Sequence, residues 1–127
     1  MKLNAIGVTT SNISKTLEFY KLLGFEFPEV KPEDSHFEVL PIEDSTRLMF
    51  DNKQSIKEMC GENAKPSNTS SFAIEFDTPE ELNKIAKTIK EAGFTIVKEP
   101  WDAFWGQRYA VVSDPDGYKI DLYSNLK

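Results

Sequence analysis

The chain has little of what most metal and nucleophile chemistry depends on: one cysteine, Cys60, and one histidine, His36. A lone cysteine closes no disulfide within the chain, which excludes a disulfide scaffold and fits a reducing compartment. A lone histidine excludes any site assembled from several imidazoles. No apolar run approaches the length that spans a bilayer. The N-terminus opens directly on a strand-like pattern, without the long apolar core of a secretory signal, so a cytoplasmic location is expected. Positive charge is also short: 15 Lys and Arg against 21 Asp and Glu leave a net charge of −6, with no basic block. Such a chain repels phosphate backbones and anionic membranes, so neither nucleic acid nor membrane is an expected partner. A cationic small molecule remains compatible with it.

What is present is enough for one domain. The 127 residues, 39% hydrophobic and 28% charged, can bury a core. Leu3 to Thr9 reads as a strand. Ser11 or Asn12 caps a helix that runs to Leu23, with Ile13, Leu17 and Tyr20 at helical spacing and Gly24 as a left-handed stop. Strands are expected at Phe25 to Val30, His36 to Leu40 and Thr46 to Asp51. A polar linker follows over about 53–69, with room for a helical turn around Ile56 to Met59.

The order then repeats. Ser71 to Phe76 is a strand with Phe72, Ile74 and Phe76 on one face. Thr78-Pro79-Glu80-Glu81 has the chemistry of a helix start: Thr78 as cap, Pro79 in the first turn and Glu81 closing a capping box. Leu82, Ile85, Ala86 and Ile89 form its apolar stripe, and Gly93 ends it. Phe94 to Lys98 is the next strand, followed by a loop over 99–104. The chain closes with two strands, Arg108 to Ser113 and Tyr118 to Tyr123, joined by the turn Asp114-Pro115-Asp116-Gly117. Leu23-Gly24-Phe25 in the first half matches Ala92-Gly93-Phe94 in the second. One domain over 1–127 is therefore expected, built from two βαβββ modules, about 1–52 and about 70–127. It is an α+β fold in which one helix per module covers one sheet face.

Within the last strand Tyr118, Ile120 and Leu122 point one way, and Lys119, Asp121 and Tyr123 the other. Asp121 thus faces a cavity or solvent, or is paired structurally with a nearby base. Parity sends Glu75 to the same side. The two carboxylates could share a proton as a general base, bind an amine or guanidinium, or simply be solvated.

The duplicated unit, Leu17-Glu18-Phe19-Tyr20-Lys21-Leu22-Leu23-Gly24-Phe25 and the stretch from Tyr109 to Leu122 resemble the vicinal oxygen chelate superfamily. It contains glyoxalase I, extradiol dioxygenases and bleomycin-resistance proteins. The resemblance implies a curved mixed sheet around a cleft, and commonly a homodimer. Metal-dependent members draw ligands from four strand positions, which fall here at Asn4 or Ala5, Leu48 or Met49, Ser71 or Phe72, and Asp121. Only Asp121 is a good ligand, so no metal and no cofactor is expected, with Asp121 the one weak candidate.

Trp101, Phe104, Trp105 and Tyr109 form the densest aromatic group, suited to planar or cationic ligands or else to packing. Trp105-Gly106 resembles the Trp-Gly pair of drug-sequestering relatives. Expected ligand-binding residues are Trp101, Phe104, Trp105, Arg108, Tyr123, Met49, Glu75 and Asp121, and the catalytic candidates are Glu75 and Asp121. His36 reads as an ordinary strand residue, and the serines lack triad partners in the family geometry. The expected function is metal-free sequestration of an aromatic or cationic small molecule, of the bleomycin-resistance type. The alternative is a glyoxalase-I-like metal-dependent lyase or isomerase, or a related enzyme of the superfamily.

Overall fold

Alternation and capping set the elements; both units open strand–helix–strand–strand, after which the first adds a helix and the second a further strand. The computed structural model describes residues 1–127 and divides them into two units, Met1–Lys65 and Pro66–Lys127.

In the first unit, strand β1 (Ala5–Thr10) leads into helix α1 (Ile13–Leu23), followed by β2 (His36–Glu38), β3 (Arg47–Asn52) and helix α2 (Lys53–Cys60). The sheet order is β1-β3-β2, with β1 parallel and β2 antiparallel to β3. The Asn12 side chain caps α1 by accepting from the Lys15 N–H, and Gly24 closes it at φ 113°. The buried stripe of α1 is Thr16, Phe19, Tyr20 and Leu23, rotated from the expected Ile13-Leu17 line. Thr16 is tolerated inside because its hydroxyl bonds that of Thr10 at 2.7 Å. Phe50 is fully buried and packs between the Tyr20 ring at 4.7 Å and the stacked Phe37 ring at 5.0 Å.

Two expectations are corrected here. Phe25 to Val30 is not a strand: Pro28 offers no N–H, the Phe25 N–H goes to the Tyr20 carbonyl at the helix end, and the Glu26 carbonyl accepts the Leu40 N–H. Its Phe27 ring still packs on Phe37 and Phe50. The start of the expected linker is a helix, because Asn52 caps the Ser55 N–H and Gly61 at φ 79° provides the stop.

In the second unit, β4 (Ser70–Glu75) precedes helix α3 (Pro79–Glu91), then β5 (Thr95–Ala103), β6 (Gln107–Ser113) and β7 (Lys119–Asn125). The sheet order is β4-β7-β6-β5, with β4 parallel to β7 and the rest antiparallel. Leu82, Ala86 and Ile89 of α3 are buried, as are Ala110, Val112, Ile120 and Leu122 of the sheet. Burying one such aliphatic side chain stabilises by about 1.5–3 kcal/mol. One sheet face is therefore the core, and the other is left open. The strand expected at Phe94 to Lys98 continues to Ala103, through register shifts between Ile96 and Lys98 and between Lys98 and Trp101. As an edge strand, β5 tolerates Pro100. The β6–β7 turn is held by Asp114, whose Oδ1 accepts the N–H groups of Asp116 and Tyr118, both at 2.9 Å. Gly117 takes φ 93° there. No helix is long and apolar enough to cross a membrane.

Candidate ligand-binding face

Strand parity builds the open face of the second sheet. Tyr109 of β6 lies in register with Tyr123 of β7 on one side and Trp101 of β5 on the other. Their rings form a band: Tyr109 stacks on Tyr123 with centroids 6.1 Å apart, and meets Trp101 edge-on at 5.7 Å. Trp105, in the β5–β6 turn, closes against both Trp101 at 6.2 Å and Tyr109 at 5.4 Å. Phe104 extends the band outward, edge-on to Trp105 at 5.1 Å and 97% exposed. Gly106 at φ 91° makes that tight turn possible.

Polar groups bound the band. Asp121 sits in register with Val111 and Ala73, both on this face. One of its carboxylate oxygens accepts the Tyr109 hydroxyl at 2.5 Å, and the other accepts the Ser70 hydroxyl. Burial, followed by the hydrogen bond to the Asp121 carboxylate, pushes the Tyr109 phenol up to about 12. Tyr109 therefore stays a donor at any physiological pH. Glu75, opposite Tyr123, accepts from the Asn125 amide at 3.0 Å. Asn125 in turn accepts from Gln107 at 3.0 Å, and Gln107 from the Trp105 indole N–H at 2.9 Å. This relay runs across three strands and ties the orientation of Glu75 to that of Trp105. Lys98, in register with Val111, places its ammonium 4.9 Å from the Trp101 ring centroid.

The structure thus brings Trp101, Phe104, Trp105, Tyr123, Glu75 and Asp121 to one region. Arg108 goes elsewhere, which corrects its expected place. Its register partner is the buried Ser124, so it lies on the α3 side, where it bonds Asp102 and, at 3.0 Å, Asn83 of α3. The Arg108 guanidinium holds the Asp102 carboxyl below its usual range. Met49 belongs to the first unit, on the open face of that sheet, in register with Gly7 and Glu38. Glu75 and Asp121 are held by separate donors, so they do not form the shared-proton pair that parity allowed.

Sequence reasoning missed Ser70, Gln107, Asn125 and Lys98. Extending the alternation of β6 and β7 by one step would have found Gln107 and Asn125. Lys98 lay hidden behind the register shifts of β5.

His36 also carries more than its sequence context suggested. Its Nδ1 lies 2.8 Å from Asp51 and its Nε2 2.9 Å from Glu38. Arg47 bridges Glu38, at 2.6 Å, to the Asn4 amide oxygen, at 2.8 Å. Hydrogen bonds to Glu38 and then Asp51 raise the imidazole pKa.

The donor set does not fit the metal of the metal-dependent family members. Asn4 faces Arg47, Leu48 is buried in the core, and Phe72 is in register with the buried Ile120. Asp121 holds a hydroxyl on each oxygen. Nowhere do three His, Cys, Asp or Glu side chains gather as a metal would require.

With this geometry in place, comparison with known proteins fixes the family. The family model of the glyoxalase/bleomycin resistance protein/dioxygenase superfamily matches residues 2–122, and the chain belongs to that superfamily. The fold agrees with that of a hypothetical protein from S. aureus, 21% identical, at a TM-score of 0.80 over 98% of this chain and 94% of the other. A glyoxalase-related enzyme from Fulvimarina pelagi, 17% identical, superposes at a TM-score of 0.83 over 98% of this chain and 88% of its own. A superfamily member from Sphaerobacter thermophilus is 26% identical, at 0.71, over 98% of both chains. None of the curated proteins compared with this chain matches it.

Proposed function

We propose that this protein binds a small planar molecule, aromatic, cationic or both, without a metal, in the manner of bleomycin-resistance proteins. One observation carries the reading: five aromatic rings form a continuous band on and beside the open sheet face, bordered by the carboxylates of Asp121 and Glu75. Aromatic faces stack with planar ligands and attract cations, and carboxylates add charge complementarity. The mismatched donor set supports binding over metal-assisted lyase or isomerase chemistry. The reading extends to a homodimer, the common family habit, which sedimentation analysis tests, and to a cytoplasmic location.

The binding experiment titrates intrinsic tryptophan fluorescence with 9-aminoacridine, a planar tricyclic cation. Saturable quenching at one molecule per chain is expected, and Trp101→Ala should weaken it by about 2- to 10-fold, the range of a single aromatic pair. Absence of saturation contradicts the reading. So does turnover of a methylglyoxal–thiol adduct that depends on nickel or zinc held by Asp121.

A further inference from the structure

The open face of the second sheet is electrically polar, and its polarity lies along the aromatic band. Trp101, Tyr109, Tyr123 and Glu75 follow one another across the four strands in register. At the β4 edge the row ends in the exposed Glu75 carboxylate, fixed by Asn125. At the β5 edge it ends in Trp101, with the Lys98 ammonium 4.9 Å from the ring centroid. The neighbouring row repeats the order: Ala73 and Asp121 toward β4, Val111 and Lys98 toward β5. Lys119, the other cation of this face, is engaged at 3.3 Å with the Asn68 carbonyl, beyond Asp121. Three interstrand steps separate the two edges, about 14 Å. That is the length of a tricyclic ring system with a substituent at each end.

We propose that Lys98 and Glu75 set the orientation and charge selectivity of this face: it takes a planar aromatic with its positive end over β4 and its negative end over β5. This deepens the binding reading above and rests on it. Lys98 already occupies the ring face of Trp101 that a cationic ligand would use. A cation placed there must displace the ammonium and meets its repulsion, whereas a carboxylate or sulfonate there meets a partner. Lys98 is thus a specificity residue for the β5 end, and Glu75 is its counterpart at β4. The ligand class that satisfies both ends is a zwitterionic aromatic, its cation at Glu75 and its anion at Lys98.

The experiment compares two matched tricyclic probes charged at one end of the long axis, protonated 2-(aminomethyl)anthracene as the cation and anthracene-2-carboxylate as the anion. It uses tryptophan quenching with wild type, Lys98→Gln and Glu75→Gln, each verified as folded by circular dichroism. Lys98→Gln is expected to tighten the cation by about 2- to 5-fold, the scale of an exposed cation–π contact, and to weaken the anion by a similar factor. Glu75→Gln is expected to do the reverse. Both effects should shrink in high salt, as they do for exposed charges. If both variants move the two probes in the same direction, or neither variant changes them, the proposed polarity is wrong although binding stands. If neither probe quenches wild type or variants, the binding reading fails and the polarity proposal with it.

Discussion

Asp121 accepts the hydroxyls of Tyr109 and Ser70, one on each of its two oxygens. Tyr109, desolvated and bonded to that carboxylate, stays protonated up to about 12. A spectrophotometric pH titration should therefore show a phenol ionising at about 12, and Tyr109→Phe should remove that step. The same substitution should cost about 1.5–3 kcal/mol of stability in urea unfolding, the scale of a hydrogen bond to a charged acceptor. Asp121 was legible in the sequence because β7 alternates without a break from Lys119 to Asn125. Its hydroxyl partners were not, because Ser70 reaches it across a parallel strand pair whose register slips at Ser71. No local pattern encodes such a slip.

At the scale of elements, the β2–β3 ribbon carries a pH-dependent clasp. Hydrogen bonds to Glu38 and Asp51 raise the pKa of His36 above its unfolded value of 6.5. The stability this contributes is fully present below 6.5 and is lost as pH rises through the higher folded value. Glu38 behaves oppositely. Hydrogen bonds from His36 and then Arg47 lower its pKa from 4.5, so its share is present above 4.5 and lost as pH falls through the lowered value. The clasp is strongest between these limits. His36→Gln should remove the decline in urea midpoint expected as pH rises above 6.5. The chain has one histidine, so its NMR titration is unambiguous. Glu38→Gln should lower its midpoint more than Asp51→Asn, because the Glu38 bond is the larger cause. The clasp was not legible beforehand because His36, Glu38 and Asp51 meet only through the β2–β3 register. Helices were easier to read than edges. The Thr78 cap and Gly24 stop are local chemistry, whereas β5 passes through two register shifts and residues 25–30 form no strand.

For the whole molecule, the strand–helix–strand–strand opening shared by both units was the most legible property, and the resemblance it carried led to the superfamily that the family model then matched. The same resemblance showed what this chain lacks, since the four family metal positions hold one good ligand between them. The thermal midpoint should therefore be unchanged by a chelator and by added nickel or zinc, whereas a metal held by the folded state would raise it. Arg108 shows the limit of a residue list drawn from charge without parity. It neighbours Tyr109 in sequence, yet faces α3, because adjacent strand residues point to opposite faces.

The most direct measurement follows the indole N–H signals of Trp101 and Trp105, the only two tryptophans, while 9-aminoacridine is titrated in. The account predicts that both signals shift together and saturate at one equivalent, with the Trp105 signal reporting through its bond to Gln107. Saturable binding that leaves both indole signals unmoved would contradict it, by placing the ligand away from the open face of the second sheet.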